Sequence, residues 1–595
     1  MNPAAEFKAG LLGSLARERQ LAADETANAA ALSLAALEAR GNALRNLEFA
    51  GESGSCLELR CPRNNSKFRE GDTVVLSAGN GKVKARIRTI SEGGRKLTVA
   101  CRKPQDHEPP ITMLESDEDV SAVFSMALKK LVPGAPGWWL LESLAGTERG
   151  KRLLEERRED STEAAANVLR EETGLDPGEA FHPALLRCLA GPRLLSVQGP
   201  PGTGKTYLLA LAAEGLARQG RRVAVTAHTH QAVNNALSTI KKLFPGRRVV
   251  KLGGGIRREG LADEIPCVIL KDEFGGNDAG TLDGTIFGLT FASATIELSL
   301  RQSLFSPHAL LVDEAGQLPL ACAAGMGMIG AGSHILFGDD RQMPPVFRTG
   351  SDCDPLAVSV FGHFRNLYPE HHCQLRVTHR LNDELCAIVS RVFYEEAGLA
   401  GIRPSRAAAD RRLSLSGTPG VTAGATALRS SPSLVWIDSP GRNCRERNEW
   451  EAKMAVEIVE EALAGGIPSA GIAVIAPFRR QVALIRAMLS ERLGSEGEPP
   501  IADTVERLQG MTVELVIVSA TAGDPEYVSA IGDFLFSANR LNVSVSRART
   551  KVIVLGSKGL WDALPTTISG LEGQRIWSRF REQAMESRQP AVPER

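Results

Sequence analysis

Gly199-Pro200-Pro201-Gly202-Thr203-Gly204-Lys205-Thr206 is the segment that most narrows what this chain can become. It has the form G-x-x-x-x-G-K-[ST], a phosphate-binding loop. The glycines let backbone N–H groups converge on a β-phosphate, the Lys205 ammonium reaches β- and γ-oxygens, and the Thr206 hydroxyl is placed to ligate Mg²⁺. The flanks fit this reading. Leu194-Leu195-Ser196-Val197 is an apolar run suited to a buried strand, and Tyr207 to Leu216 continues as an apolar, Ala/Leu-rich helix. That helix points the positive end of its dipole at the phosphates. All eight loop residues are therefore candidate nucleotide ligands.

A chain of 595 residues is too long for one core and predicts three or four domains. Lys plus Arg equals Asp plus Glu, 70 of each, so any nucleic-acid contact must come from a local groove rather than from bulk charge. The ten cysteines form no C-x-x-C pair, and Cys56 and Cys61 are poorly spaced for zinc. No structural metal is expected, and reduced thiols in a cytoplasm fit better. The N-terminus is charged throughout (Glu6, Lys8, Arg17, Glu18, Arg19) and has no apolar signal core. Leu318 to Phe337 lacks Asp, Glu, Lys and Arg, yet Pro319 and several glycines make it a buried helix and strand rather than a membrane span.

Residues 1 to about 48 are rich in Ala, Leu, Glu and Arg, with Leu32, Leu34, Leu37, Leu44 and Leu47 near helical spacing, and predict one or two long helices. From about 49 to 104, four alternating runs (56–61, 73–77, 82–88, 96–101) separated by Gly/Asn/Ser turns predict a small antiparallel barrel. Helical patterns return between about 117 and 172. From about 185 to 345 apolar strands alternate with helices, the mark of a parallel doubly wound sheet. A second such stretch runs from about 373 to 557, with a loop expected near 403–432.

Two further constellations lie downstream of the loop. Asp313 and Glu314 end the apolar run Ala309 to Val312; one acid suits Mg²⁺ and the next suits polarising an attacking water. A charged pair opening a helix is the plainer alternative. Gly338-Asp339-Asp340-Arg341-Gln342-Met343-Pro344-Pro345 ends another strand, and Gln342 can hydrogen-bond a γ-phosphate and report its loss.

With these segments the chain resembles a superfamily 1 helicase of the up-frameshift-like group, whose members act on RNA or DNA. The resemblance runs continuously from about 180 to 557. Val223 to Asn235, with Thr226, His228 and Thr229, resembles motif Ia, and Thr290 to Thr295, with Ser293 and Thr295, resembles the next nucleic-acid motif. Asp313-Glu314 matches motif II, and Gly338-Asp339-x-x-Gln342-x-Pro344-Pro345 matches motif III. Thr378-His379-Arg380-Leu381-Asn382 resembles part of motif IV. Ala476-Pro477-Phe478-Arg479-Arg480-Gln481 resembles the group's Pro-Tyr-x-x-Gln turn. Asp503-Thr504-Val505-x-Arg507-x-Gln509-Gly510 resembles motif V, and Arg540 to Arg549 resembles motif VI.

The resemblance implies an α/β architecture: two RecA-like parallel-sheet motor domains, preceded by a helical stalk bearing the small β-barrel. The implied boundaries are 1–180 for the stalk and barrel, 181–364 for the first motor with a small insertion at about 243–285, and 365–595 for the second motor and tail. It implies ATP with Mg²⁺ in the interdomain cleft, with Lys205, Asp313, Glu314, Gln342, Arg380 and Arg547 catalytic and Thr206 and Asp313 on the metal. His379, Gln481 and Gly510 join the loop as nucleotide contacts. Thr226, His228, Thr229, Ser293, Thr295, Pro477 and Thr504 contact a single strand. Three positions depart from the group. Phe181 to Arg187 offers no Gln for adenine, His379 stands where Tyr is common, and Thr512 stands for Glu. All three fall on the base and sugar side of the site.

The function so implied is an ATP-dependent helicase or translocase, 5′ to 3′ on single-stranded DNA or RNA, acting as a cytoplasmic monomer without membrane contact. An ATP-gated clamp with little unwinding activity is the alternative. No nuclease motif is recognisable in the flanks. Lys82, Lys84, Arg86 and Arg88 share one strand face; they suit phosphate contact and a solvated face equally well.

Overall fold

The computed structural model describes residues 2–586 except 40, 54–55, 63, 65, 67, 69–71, 79–80, 92–94, 102–110, 116–119, 136, 156–161, 174–177, 254–257, 269–281, 297–305, 349–353, 418–419, 421 and 494–498. A helix over Pro3–Ala30 opens the chain, and a short one over Leu34–Ala39 leads into a closed six-stranded barrel. Its strands are β1 (Ala43–Ser53), β2 (Cys56–Arg60), β3 (Thr73–Ala78), β4 (Gly81–Ser91), β5 (Lys96–Cys101) and β6 (Ile111–Glu115), in the order β1-β2-β5-β4-β3-β6.

The barrel is wider than the predicted 49–104, and β1 corrects the helix expected up to residue 48. Leu44 and Leu47 both point into the barrel core. Their three-residue spacing mimics a helix because the β1–β6 register shifts between them, at Asn46 with φ 55°. A bulge of this kind puts two odd-spaced side chains on one face. On β4, Ala85 and Ile87 fill the core, while Lys82 and Lys84 are exposed on the outer face.

The first motor sheet has eight strands: β7 (Leu194–Gln198), β8 (Val223–Ala227), β9 (Val249–Leu252), β10 (Cys267–Val268), β11 (Ile286–Thr290), β12 (Ala309–Val312), β13 (Ser333–Gly338) and β14 (His372–Gln374). Their order is β10-β9-β11-β8-β12-β13-β7-β14, and every pairing is parallel. Uninterrupted Val/Leu/Ile runs suit strands covered on both faces. Two predicted boundaries shift. β9 and β10 extend this sheet from within the expected insertion, and β14 joins it from beyond residue 364. All three are short, at or next to an edge of the sheet, with little periodicity of their own.

β15 (Val377–Thr378) pairs with β16 (Arg403–Pro404), and the second motor sheet follows. It consists of β17 (Leu434–Ser439), β18 (Ile472–Ile475), β19 (Ile501–Asp503), β20 (Val513–Ser519) and β21 (Ala548–Ser557), ordered β17-β21-β20-β18-β19 and all parallel. The stretch expected as a loop at 403–432 instead holds β16 and two short helices, Arg406–Ala409 and Ala423–Arg429.

The N-terminal helix lies on the first motor. Leu11 and Leu15 share a core with Phe124, Leu128, Ala321 and Ala324, and Arg17 pairs with Asp354 at 2.8 Å. Gly137 lets the stalk press against the first motor: a Cβ there would stand 1.8 Å from the Gly327 carbonyl oxygen. Leu318 to Phe337 forms buried helical turns and β13, as predicted. Among the described residues, no helix is long and apolar enough to cross a membrane.

Candidate functional site

The phosphate loop turns between β7 and the helix Lys205–Arg218, with Gly202 at φ 72° and Gly204 at φ 83°. These are left-handed conformations that glycine adopts without strain. Gly199 N–H donates to the Gly338 carbonyl at 2.8 Å, tying the loop to the end of β13. Parallel β12 delivers the acidic pair beside it, where Asp313 N–H donates to the Thr226 carbonyl at 2.7 Å. Lys205 Nζ sits 2.8 Å from Glu314 Oε1 and 3.6 Å from Asp313 Oδ1. Glu314 itself holds φ 53°, a costly backbone for a non-glycine residue and of the kind that collects at active sites.

The electrostatics of this trio are tightly balanced. Burial alone would lower the Lys205 pKa, but Glu314 and Asp313 outweigh it and hold the ammonium protonated. Burial raises the Asp313 carboxyl to about 6, against the pull of Lys205. Glu314 is only half-buried; its surroundings push the carboxyl up, but Lys205 outweighs this and keeps it below the usual carboxylate range. The lysine thus rests on the acids at the mouth of the loop.

The second motor closes directly onto this loop. Thr378 Oγ1 donates to the Pro201 carbonyl at 2.7 Å, and His379 N–H donates to the Gly202 carbonyl at 2.8 Å. Gly202 has no room for a side chain, since a Cβ would stand 2.4 Å from Arg380 Cβ and 2.8 Å from Thr378 Oγ1. Gly202→Ala is therefore expected to strain the loop and push the two motors apart. Nucleotide titration should show at least about tenfold weaker binding with little change in melting temperature, because strain of about 1–3 kcal/mol falls on the site. Unchanged binding would mean that the loop tolerates the displacement.

Two arginines enter the same cleft. Arg547 is 3% exposed and donates to the Gln342 Oε1 at 3.2 Å. Arg380 donates to the Ser546 carbonyl at 3.1 Å. Burial, with repulsion from Arg547 and Arg549, lowers the Arg380 pKa to about 9; burial lowers that of Arg547 to about 10. Among the described residues neither guanidinium forms an ion pair with a carboxylate, so two desolvated cations face each other beside the phosphate loop. A polyphosphate is the kind of ligand that relieves this arrangement. The residues present fit Mg²⁺-nucleotide: Thr206 and Asp313 would hold the ion, which when bound screens phosphate charge.

Gln342 is steered by Asp339. Its Nε2 donates to Asp339 Oδ2 at 2.6 Å, as does the Tyr394 hydroxyl, while Gln198 Nε2 donates to Oδ1 at 2.6 Å. Asn539 donates to the Asp340 carbonyl at 3.0 Å and also to the Gln342 carbonyl, and Asn542 donates to the Arg341 carbonyl at 2.8 Å. Sequence reasoning did not single out Gln198, Tyr394, Asn539 or Asn542 for the site. Asn542 lies within the motif VI run and Asn539 immediately precedes it; Gln198 and Tyr394 carry no local signal.

The other candidates are placed less uniformly. Gly510 precedes Met511, whose carbonyl accepts from Arg547 at 3.3 Å, so it lies on the arginine side of the cleft. Gln481 lies elsewhere. It is fully buried in the second motor, with its amide spent on the Asn448 backbone and Ser519. Thr226 is fully buried in β8, and the Thr295 hydroxyl donates to the Phe291 carbonyl at 3.0 Å inside the core, so neither side chain is offered to a ligand. His228 and Thr229 are exposed after β8, and Ser293, Pro477 and Thr504 are half-buried after β11, β18 and β19. They share the carboxyl ends of the two parallel sheets, where open α/β sheets bind ligands.

A phosphate loop on one parallel sheet is thus met by Arg380 and Arg547 from the second half of the chain, the arrangement expected of a tandem P-loop NTPase. Two separate profiles, each described as an AAA domain, match residues 182–356 and 356–559. The chain is 27% identical over 399 residues to the DNA replication ATP-dependent helicase/nuclease dna2 of Schizosaccharomyces pombe, covering 63% of this chain and 27% of that protein. It is 19% identical over 697 residues to the DNA polymerase alpha-associated DNA helicase A of Saccharomyces cerevisiae, covering 99% of each. Among solved structures, an arterivirus nonstructural protein 10 (helicase) aligns at 11% identity with a TM-score of 0.37, over 86% of this chain and 78% of that one. The chain spans about a quarter to a half of the length of the dna2-type relatives it matches. In its two domain profiles and in these relatives the chain is similar to ATP-dependent helicases.

Proposed function

We propose that this protein is an ATP-driven motor of the up-frameshift-like group that tracks 5′ to 3′ along single-stranded nucleic acid and separates duplex ahead of it. The observation that carries the reading is the contact of Arg547, from the second motor, with Gln342, from the first, beside the Lys205–Glu314 pair. In this reading Lys205 binds the β/γ-oxygens, Glu314 polarises the attacking water, and Gln342 orders it against the γ-phosphoryl. Arg380 and Arg547 stabilise the charge that spreads over the leaving group. Loss of the γ-phosphate removes what the two arginines share, so the motors part and the grip on the strand alternates. The names of both cited relatives specify DNA, which makes single-stranded DNA the first substrate to test.

Duplexes bearing either a 5′ or a 3′ single-stranded overhang test this directly. ATP-dependent displacement on the 5′-overhang substrate alone is the expected result. Strand-stimulated hydrolysis without displacement on either substrate would instead identify an ATP-gated clamp.

Base selection is expected to be loose. Half-buried Tyr207 stands beside Gly204 and offers aromatic surface, with Phe181 packed in the core behind it at 6.1 Å between ring centroids, and the exposed His379 flanks the loop. Stacking accepts any base, whereas a site built to hydrogen-bond one base rejects others by about 10⁴–10⁵. The kcat/KM for GTP should therefore lie within about tenfold of that for ATP in a steady-state assay. A preference above about a thousandfold would contradict this.

A further inference from the structure

We infer that Tyr394 is a positioning residue for hydrolysis, a hydroxyl supplied by the second motor that fixes the Asp339–Gln342 pair of the first and so sets Gln342 against Arg547. This rests on the proposed roles of Gln342 and Arg547. Tyr394 is fully buried at the end of a π-helical turn, Ser390–Tyr394, a local form that recurs at functional sites. The turn is held by Ser390, whose hydroxyl donates to Glu395 at 2.6 Å and accepts from Ile402 N–H at 2.9 Å. The backbone is thus committed to presenting one side chain across the motor interface.

The hydroxyl donates to Asp339 Oδ2 at 2.6 Å and accepts from Asn542 Nδ2 at 3.3 Å. Burial and the neighbouring Asp339 carboxylate hold the phenol well above its ordinary pKa, so it stays a donor. The same Oδ2 accepts from Gln342 Nε2 at 2.6 Å, which fixes the amide so that its oxygen faces Arg547 at 3.2 Å. Without the Tyr394 donor, Asp339 Oδ2 keeps only its bond to Gln342, the carboxylate is anchored through Oδ1 alone by Gln198 and the Arg341 N–H, and the Gln342 amide is set less firmly against Arg547. The chain Tyr394–Asp339–Gln342–Arg547 begins and ends in the second motor and passes through the first. It therefore exists only when the motors are docked, which makes it a register of closure as well as a brace.

The test compares full-length wild type, Tyr394→Phe, Gln342→Ala and the double variant in steady-state ATPase assays with saturating single-stranded DNA. Phenylalanine keeps the ring and its packing and removes only the hydroxyl. The expected result is a kcat lowered about tenfold or more in Tyr394→Phe, the scale of one hydrogen bond to a charged group, with KM for ATP unchanged. The double variant should be no slower than Gln342→Ala alone, because both act through one amide. Multiplying losses in the double variant, or an unchanged kcat in Tyr394→Phe, would overturn the inference. Should Tyr394→Phe melt markedly earlier, Asp339→Asn asks the same question from the other side of the bond: it should slow kcat, and adding Tyr394→Phe should slow it no further. An inert wild type would remove the proposed function itself, whereas an active wild type with an unaffected Tyr394→Phe removes only this inference.

Discussion

Arg547→Ala should lower the kcat of ATP hydrolysis by about 10³–10⁵, the range associated with a transition-state arginine, while nucleotide affinity changes less than about tenfold. The separation follows from where the groups sit. The phosphate loop, Lys205, Asp313 and Glu314 all belong to the first motor, so the groups proposed to bind nucleotide do not depend on Arg547. Arg547 arrives from the second and touches Gln342 at 3.2 Å. Its guanidinium also donates to the carbonyls of Val543 and Met511, so alanine also leaves a gap in the second motor. Arg547→Lys separates the two effects. It keeps the charge and much of the volume but loses the planar fork, and should remain more than about 10²-fold impaired with a near-normal melting temperature. Nucleotide binding by calorimetry alongside single-turnover hydrolysis checks both variants. Near-normal hydrolysis in Arg547→Ala would remove the composite interdomain site.

Glu314→Gln is expected to reduce kcat by about 10²–10⁴, the usual contribution of a positioned general base, without weakening nucleotide binding. The change is nearly isosteric, so the φ 53° backbone at this position is not disturbed by bulk. Lys205, which the carboxylate holds at 2.8 Å, loses the nearer of its two acidic partners, keeps Asp313 at 3.6 Å, and becomes more available to a phosphate. ATP affinity should therefore stay the same or rise, and the variant should accumulate in the closed, nucleotide-bound form. A Glu314→Gln enzyme that turns over within threefold of wild type would assign the water-activating role to another group.

Much of the proposed nucleotide site was legible because its residues are read locally. A phosphate loop needs glycines at fixed offsets between a strand and a helix, and an acidic pair at a strand end needs only its neighbours. The structure brings Lys205, Asp313, Glu314, Gln342, Arg380 and Arg547 into one cleft, and those six were all visible as motifs. What escaped was either non-local or locally disguised. Tyr394 acts on Asp339 from 55 residues away, and nothing in Arg391-Val392-Phe393-Tyr394 marks that partner. Gln481 reads as a nucleotide contact within its motif, but Asn448, 33 residues earlier, claims its amide in the core. Leu44 and Leu47 carry helical spacing because a bulge imitates it. β10 and β14, two and three residues long, take their strand character from the neighbour they pair with rather than from their own sequence.

The measurement that bears most directly on the whole account is steady-state ATP hydrolysis by the full chain with Mg²⁺, with and without single-stranded DNA or RNA of equal length. A motor whose cleft closes only when the second domain is engaged should be slow alone and at least about tenfold faster on a strand, with the stimulation lost at high salt as phosphate contacts are screened. Hydrolysis that is equally fast with no strand, with DNA and with RNA would contradict a nucleic-acid motor and leave an NTPase of another kind.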